Sequence, residues 1–594
     1  MKKRSYRIYF WKLIKLCWNM QRKYLIAMIM VSIPKAFLPF VTLLALQSIL
    51  NLAQKKVFTD VIVYILIYFA SLLFVKILDV IFDYFKGLFK VNINYDINCL
   101  IIDRSQNLTL SDFENSDTYD ELQRALKETQ SIFQSINSIF LIFNNIFTVI
   151  GSLLIIILWQ WYVVGILIVA PVISFYFTVI IGRYEFNVMQ ERMSGTRKIN
   201  YLRDLINDVH SFKENKVLES NQYLYNKFKK IFEQFIKKDR EILQYKSINA
   251  IVFNLLETLI GVGVIGAVIY SLTLGKILIG TANTYIQCIW NIIKSTDLTI
   301  NNLASIYTKS QYLSNLFKFI DKDDRNNNEE RKKTVDIRQI ESIEFINVSF
   351  RYRAGLPYAI QNINLKIKKN EKIIIVGDSG SGKSTFIKLL SNLYSDYEGE
   401  ILINGISLKE INKDSLYDKI GIVYQDFVKY EFTLKENLIL GNFNMKEDEI
   451  SRNVSNIMEK GILTFCEKLQ HNLDTQLGTK FNKGVQLSGG EWQQVAFTRA
   501  IMKKSDMLIL DEPSSGVDVI SESNMYNLLK EVTNNTISLL VTHRLYIADR
   551  FAQRAIVFRN GEIIEDNSIE KLMGYDSYYK FMFSKTAINE KILT

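Results

Sequence analysis

Long apolar runs dominate the first half of the chain and short ones the second. Runs near 24–50, 58–84, 137–158, 161–182, 248–272 and 277–300 each reach the roughly 20 residues that a helix needs to cross a bilayer. Backbone groups in hydrocarbon must pair internally, so these runs predict six spanning helices. Connections after the first, third and fifth runs are short, at Asn51 to Val57, Gln160, and Thr273 to Lys276. Those after the second and fourth, 85–136 and 183–247, are long and charged. Their helical periodicity predicts spans that continue as helices beyond the bilayer, each hairpin carrying a short helix at its tip.

A charged, Asn-rich stretch from Asp321 to Val335 has no pattern that would fold. It marks a linker, 319–337, between a membrane domain, 1–318, and a second domain, 338–594. There, the runs EFINVSF, INLKI, KIIIVG, GEILING, IGIVYQ, MLILDE, ISLLVTH and RAIVFRNGE alternate with helical patterns. That alternation predicts a doubly wound α/β domain.

Charge sets the expected orientation. Lys2, Lys3, Arg4, Arg7, Lys12, Lys15, Arg22 and Lys23 precede the first run with no acid among them. Such a segment stays cytoplasmic, which puts the short connections outside and the long hairpins inside. The apolar stretch behind it is too long for a cleaved signal peptide. The net charge of +11 follows the same bias; no basic motif interleaved with aromatics appears, so no nucleic-acid partner is expected. Cys17, Cys99, Cys288 and Cys466 are scattered without metal-ligand spacing, which implies structural thiols. Scarce Pro and Gly, with abundant Ile, Lys and Asn, suit a bacterial chain.

The strand Ile373–Val376 runs into Gly377-Asp378-Ser379-Gly380-Ser381-Gly382-Lys383-Ser384, followed by Thr385. This is GxxxxGKS after a strand and before a helix, the setting in which backbone N–H groups cradle phosphate. Lys383 would meet the β- and γ-phosphates of ATP, and Ser384 would ligate Mg²⁺. A second strand, Met507–Leu510, ends in Asp511-Glu512. Asp511 can serve the Mg²⁺ shell, and Glu512 can polarise the attacking water as general base.

Between these lies Leu487-Ser488-Gly489-Gly490-Glu491-Trp492-Gln493. With it, the second half resembles the nucleotide-binding domain of ATP-binding cassette (ABC) proteins. The resemblance implies head-to-tail cassette dimers, with Ser488, Gly489 and Gly490 meeting the γ-phosphate held by Lys383 of a second copy. It implies that Tyr352 stacks on adenine, Gln425 reaches Mg²⁺ and water, Asp518 sits in the dimer-contact loop, and His543 touches the γ-phosphate. Two departures from common exporter sequences, LDEPSSGVD and Glu491, remove no catalytic group. The segment Asp474 to Gly484 also departs from the common pattern.

Six spans ahead of one cassette resemble the exporter half-transporters: an all-α transmembrane domain of exporter type fused to an α/β nucleotide-binding domain. Leu110–Phe113 and Phe212–Tyr223 are candidate coupling segments. Leu110–Phe113, Phe212-Lys213-Glu214, Gln425–Glu431 and Leu473–Gly478 resemble the corresponding segments of nisin-type lantibiotic exporters. The implied function is ATP-driven export of a peptide, a lantibiotic or bacteriocin precursor, across the bacterial cytoplasmic membrane. Peptide-modifying enzymes are possible partners, and a homodimer is expected because every catalytic element is intact. Only about 23 residues precede the first run, so no leader-cutting peptidase is expected there. A multidrug or lipid exporter, or an immunity or sensor protein, is the alternative.

Polar positions inside the spans suggest a wet face. Gln287, Asn291, Lys294 and Asp297 recur every three or four residues in the sixth run, and Asn254 and Glu257 lie in the fifth. A central cavity lined by these residues is expected, with Glu257 suited to a cationic peptide. Lys76 and Asp79 are expected to snorkel to the inner interface.

Overall fold

The computed structural model describes residues 3–591 apart from 128, 331–333, 444, 514–515 and 546–550. The chain divides into two compact units, one of residues 1–108 and 112–326 and one of 327–594, with 109–111 assigned to the second.

The first unit is helical: α1 (Lys3–Gln54), α2 (Val61–Gln106), α3 (Leu110–Glu114), α4 (Ser116–Lys127), α5 (Thr129–Ile157), α6 (Trp161–Glu191), α7 (Met193–Asn207), α8 (Val209–Val217), α9 (Asn221–Thr273) and α10 (Ile279–Glu330). The predicted tip helices are present. α3 begins at the expected Leu110, whereas α8 ends before the expected Phe212–Tyr223 segment does, at Val217. Among the described residues, five helices (α1, α2, α5, α6 and α9) are long and apolar enough to cross a membrane. The sixth run does form a long helix, α10, but its recurring polar residues make it too polar to qualify on composition.

Each helix buries a stripe. Along α2, Leu78, Phe82, Phe89, Ile93, Ile97 and Ile101 recur at four- and seven-residue steps, which places them on one face. From Phe82 onward they pack with Leu13, Cys17, Leu25 and Met28 of α1 and Ile132, Ile136 and Phe140 of α5. A second cluster joins Leu43, Ile156, Leu167, Val264, Val268, Cys288 and Ile292. Beyond the apolar stretches, α6 and α9 stay paired through Glu185–Lys246 (2.7 Å), Glu191–Lys238 (2.6 Å) and Arg192–Asp239 (2.5 Å). Exposed pairs contribute little each, so this ladder sets register more than stability.

Asp79, expected near the inner interface, has a partner: it pairs with Lys35 of α1 at 2.7 Å, and that ammonium lies 4.8 Å from the Phe82 ring centroid. Partnering lowers the cost of a charge wherever water is scarce. One expectation is corrected: the stretch from Asp321 is not unstructured, because α10 runs through it to Glu330. Its Asp, Glu, Lys and Arg residues propagate a helix already nucleated by the span.

The second unit holds two sheets. Strands β1 (Ser342–Phe350), β2 (Ile360–Lys368), β4 (Glu398–Ile403) and β5 (Ile406–Ser407) form an antiparallel sheet in the order β2-β1-β4-β5. Strands β3 (Lys372–Gly377), β6 (Ile420–Val423), β7 (Met507–Asp511), β8 (Ile537–Val541), β9 (Arg554–Arg559) and β10 (Glu562–Ser568) form the other, in the order β10-β9-β3-β8-β7-β6. All are parallel except β10. The doubly wound reading therefore covers the larger sheet alone. Alternating polar and apolar residues in INLKI, against the unbroken apolar run of β3, mark a sheet with one wet face.

Helices α11 (Lys383–Leu390), α12 (Lys413–Tyr417), α13 (Leu434–Ile439), α14 (Glu447–Glu459), α15 (Gly489–Met502) and α16 (Val519–Val532), then α17 (Ile569–Gly574) and α18 (Tyr578–Lys591), complete the unit. Side chains alternate across the parallel sheet. Ile373, Ile375, Ile509 and Leu539 face α11 and the antiparallel sheet. Ile374, Val376, Leu508, Leu510 and Leu540 face Trp492 and Phe497 of α15 and Leu529 of α16.

Replacing Lys35 by Met should strand Asp79 and lower the unfolding midpoint in detergent, at a cost of about 2–3 kcal/mol. Adding Asp79→Leu should restore it; a single variant as stable as the parent would refute the pairing.

Candidate active site

Four adjacent strands, β3, β8, β7 and β6, deliver their carboxyl ends to one edge, the place where open α/β sheets bind ligands. β3 ends in the glycine loop, β7 in Asp511-Glu512, β8 in Thr542-His543, and β6 leads to Gln425. Residues far apart in sequence converge because parallel pairing aligns those ends.

The loop is shaped by backbone conformation. Gly377 and Gly382 have φ of 149° and 106°. A Cβ on Gly377 would lie 2.2 Å from the Phe558 carbonyl oxygen, and one on Gly382 would lie 2.7 Å from that of Ala359. Neither position admits a side chain. Lys383 opens α11 and donates to the carbonyls of Gly377 and Asp378, both at 2.8 Å. Burial holds its ammonium below the usual lysine pKa, opposed by the charges of Glu512, Asp511 and Asp378. Ser381 Oγ is buried without a partner, while Ser379 and Gly380 are exposed. An orphaned hydroxyl inside a curled loop fits a site meant for a ligand's oxygens.

Asp511 is 5% exposed and accepts a hydrogen bond from Ser384. Burial, then the charge of Glu512, pushes its pKa from 3.8 to about 6, against the pull of Lys383 and Ser384. A buried carboxylate beside a hydroxyl, with a second carboxylate next to it, suits a divalent cation.

Glu512 adopts a left-handed backbone, φ 50°, a conformation that non-glycine residues hold only where their surroundings fix it. Its N–H donates to Val541 O at 2.9 Å, and its carbonyl accepts from Gln493 Nε2 at 3.0 Å. Its carboxylate is held at both oxygens: Gln425 Nε2 donates to Oε2 at 3.0 Å, and His543 Nε2 lies 3.0 Å from Oε1. Three of the residues predicted for catalysis therefore form one cluster. The next residue, Arg544, pairs with the fully buried Glu522 of α16, which anchors the segment carrying His543.

Tyr352 is joined to the loop, its hydroxyl 2.9 Å from Thr385 Oγ1. The ring lies edge-on to Phe350 and Tyr394, with Lys388 Nζ 5.7 Å from its centroid. Ser488 and Asp518 act within this chain as helix caps. Ser488 opens α15 in a reciprocal box with Glu491, and Asp518 accepts from Ser521 N–H at 2.9 Å. That bond holds the Asp518 carboxyl below its usual pKa. No described hydrogen bond joins Ser488, Gly489 or Gly490 to the glycine loop. Ser514 and Ser515 lie outside the described residues.

Two contacts went unread in the sequence. Gln493 had no assigned role, although its place five residues after Ser488 puts it on the inner face of α15. Glu431 was seen only as part of a segment, yet its carboxylate accepts from Thr479 and Lys480 N–H at 2.6 and 2.7 Å. It thereby ties Gln425–Glu431 to the divergent Asp474–Gly484 segment.

A family model described as "ABC transporter" matches residues 360–515. The subtilin transport ATP-binding protein SpaT of Bacillus subtilis is 34% identical over 575 residues, 96% of this chain and 93% of that protein. The chain belongs to the ABC transporter family. The nisin transport ATP-binding protein NisT of Lactococcus lactis subsp. lactis is 31% identical over 96% of this chain and 95% of its own length. An ATP-dependent lipid A-core flippase of Methylobacillus flagellatus is 27% identical over 67% of this chain and 63% of its own length. In fold, the chain superposes on a bacterial Atm1-family ABC exporter with a TM-score of 0.79, covering 96% of this chain and 99% of that one at 19% identity. This member is thus a multi-pass membrane ATPase coupled to transport, with the exporter fold.

The Asp511 shift has a consequence for stability. A raised folded-state pKa means that ionisation costs the folded protein stability; the cost is absent below about pH 4 and full above about pH 6. Asp511→Asn should therefore stabilise the nucleotide- and Mg²⁺-free protein by about 3 kcal/mol near about pH 7.5. The gain should shrink toward about pH 5. Unfolding midpoints across pH would show this, and a gain independent of pH would contradict it.

Proposed function

We propose that this chain exports a peptide of the lantibiotic or bacteriocin class across the bacterial cytoplasmic membrane, as a homodimer driven by ATP hydrolysis. The observation that carries this reading is the breadth of the likeness to SpaT and NisT. It spans 96% of the chain, membrane unit included, and those relatives are named for the transport of subtilin and nisin. The flippase likeness is weaker and shorter, and it supports a lipid exporter as the second reading.

Chemically, the N–H groups of the loop from Gly377 to Ser384, with Lys383, bind the phosphates of ATP, and Tyr352 offers its ring to adenine. Mg²⁺ would be held by Ser384, Gln425 and Asp511 and would neutralise phosphate charge. Lys383 must leave its two carbonyls for the phosphates, an exchange that its partly desolvated ammonium favours. Glu512 polarises the attacking water as general base. Gln425 and His543 hold its two oxygens, so the base cannot rotate away; His543 also reaches for the γ-phosphate. The signature residues Ser488, Gly489 and Gly490 serve the site of the second copy, with Asp518 at the shared boundary. α3 and α8 lie in the cytoplasm and convert cassette closure into outward opening.

In the membrane unit, Glu257 is 5% exposed and within electrostatic reach of Asp297. α9 and α10 approach closely there: a Cβ on Gly261 would lie 2.7 Å from Ile293 Cδ1. Gln287 and Asn291 are half-buried on the same helix as Asp297, whereas Asn254 and Lys294 are exposed. On this reading the cargo's polar contacts are Glu257, Gln287, Asn291 and Asp297, and the acidic pair suits a cationic peptide.

Cells making this chain with a lantibiotic precursor should secrete it, and Glu512→Gln should stop secretion while lowering ATP hydrolysis about 100-fold or more. Secretion that persists would sink the mechanism. Glu257→Gln should reduce export of a cationic peptide more than of a neutral one. ATPase activity stimulated by lipid but not by peptide would favour the second reading.

A further inference from the structure

The glycine loop is braced from outside by the C-terminal part of the chain. β9 lies beside β3 with Phe558 opposite Gly377, and the Gly561 N–H in the β9–β10 turn donates to Ser381 O at 3.1 Å. Beyond β10, the start of α18 is fixed on all sides. Glu565 of β10 accepts from the N–H groups of Tyr578 and Tyr579 at 2.6 and 3.0 Å. Ser577 Oγ accepts from Lys580 N–H at 3.0 Å, and Tyr579 is fully buried. These contacts leave Tyr578 half-buried, with its hydroxyl donating to Asp378 Oδ2 at 2.8 Å across 200 residues of sequence. The Arg559 guanidinium lies 4.9 Å from its ring centroid.

The contact falls where charge matters. Asp378 is the one acidic residue in a loop built to gather a polyanion, and its own carbonyl already accepts from Lys383. A carboxylate free to turn toward the phosphates would repel them at short range. A hydrogen bond to a charged acceptor is among the stronger polar contacts, and it fixes the rotamer. We propose that Tyr578 is a positioning residue for nucleotide binding: its hydroxyl holds the Asp378 carboxylate out of the phosphate cradle, and α18 thereby sets the affinity for ATP. This rests on the reading of residues 377–384 as the phosphate loop.

The test uses the purified full-length protein. Tyr578→Phe keeps the ring, its packing and the Arg559 contact, and removes only the hydroxyl. It should raise KM for ATP about three- to tenfold, with kcat changed by less than about twofold. In an Asp378→Ala background, Tyr578→Phe should add no further change in KM, because the group it restrains is gone. An unchanged KM in Tyr578→Phe, or an equal effect with and without Asp378, would overturn the proposal, as would a loss of kcat with a lowered unfolding midpoint. Binding of a fluorescent ATP analogue to Lys383→Ala separates the two levels. Weakened binding there, with no effect of Tyr578→Phe, overturns the positioning role alone. Unweakened binding overturns the phosphate-loop reading and the proposal with it.

Discussion

The carboxylate of Glu512 sits at the end of a fully buried strand, on a backbone conformation that only its neighbours can hold, between the side chains of Gln425 and His543. That geometry depends on parallel pairing. β6, β7 and β8 must be in register for Gln425, Glu512 and His543 to meet, and register follows from side chains that alternate between two packed faces. A slip of one residue would turn Ile509 and Leu508 to the wrong layers and dismantle the cluster together with the core. The same sheet places Lys383 where Asp511, Glu512 and Asp378 offset its desolvation. Stability and chemistry thus draw on one arrangement of strands.

The membrane unit obeys a different constraint, since each polar group within a span needs a partner or a wet path. Lys35 and Asp79 satisfy one another. Thr281 accepts from Asn51 Nδ2 at 3.1 Å, which links the start of α10 to the end of α1. Asp297 accepts a hydrogen bond from Asn301 Nδ2 at 3.2 Å and lies within electrostatic reach of the buried Glu257; under the proposed function, this acidic pair is where a cationic cargo would bind. The helical pair α6 and α9 carries an ion-pair ladder past the apolar region, which keeps the two helices in register there.

Much of this was legible in the sequence, for physical reasons. Apolar runs of spanning length and the glycine loop are local signals, and both lie where they were expected. The acidic pair after Leu510 was equally plain. Contacts that depend on tertiary folding were not: Lys35 meets Asp79, Glu431 meets Thr479, and Tyr578 meets Asp378 without a pattern to announce them. Some errors came from reading composition alone. The stretch from Asp321 is charged enough to look unstructured, but it continues an existing helix and so needs no nucleus of its own. The strands EFINVSF and INLKI belong to a separate antiparallel sheet, and the only local sign of it is the alternation of INLKI against the continuous run of KIIIVG.

In the proposed homodimer, the ATP site of one chain is completed by the signature of another. In a Cys99→Ser, Glu512→Gln background, cysteines placed at Ser379 and Ser488, both exposed here, test it directly under a mild oxidant. The account predicts a disulfide between two chains that forms with ATP and Mg²⁺ and not without them, seen as a covalent species of twice the chain's mass. A disulfide confined to one chain, or a two-chain product that ignores ATP, would contradict it.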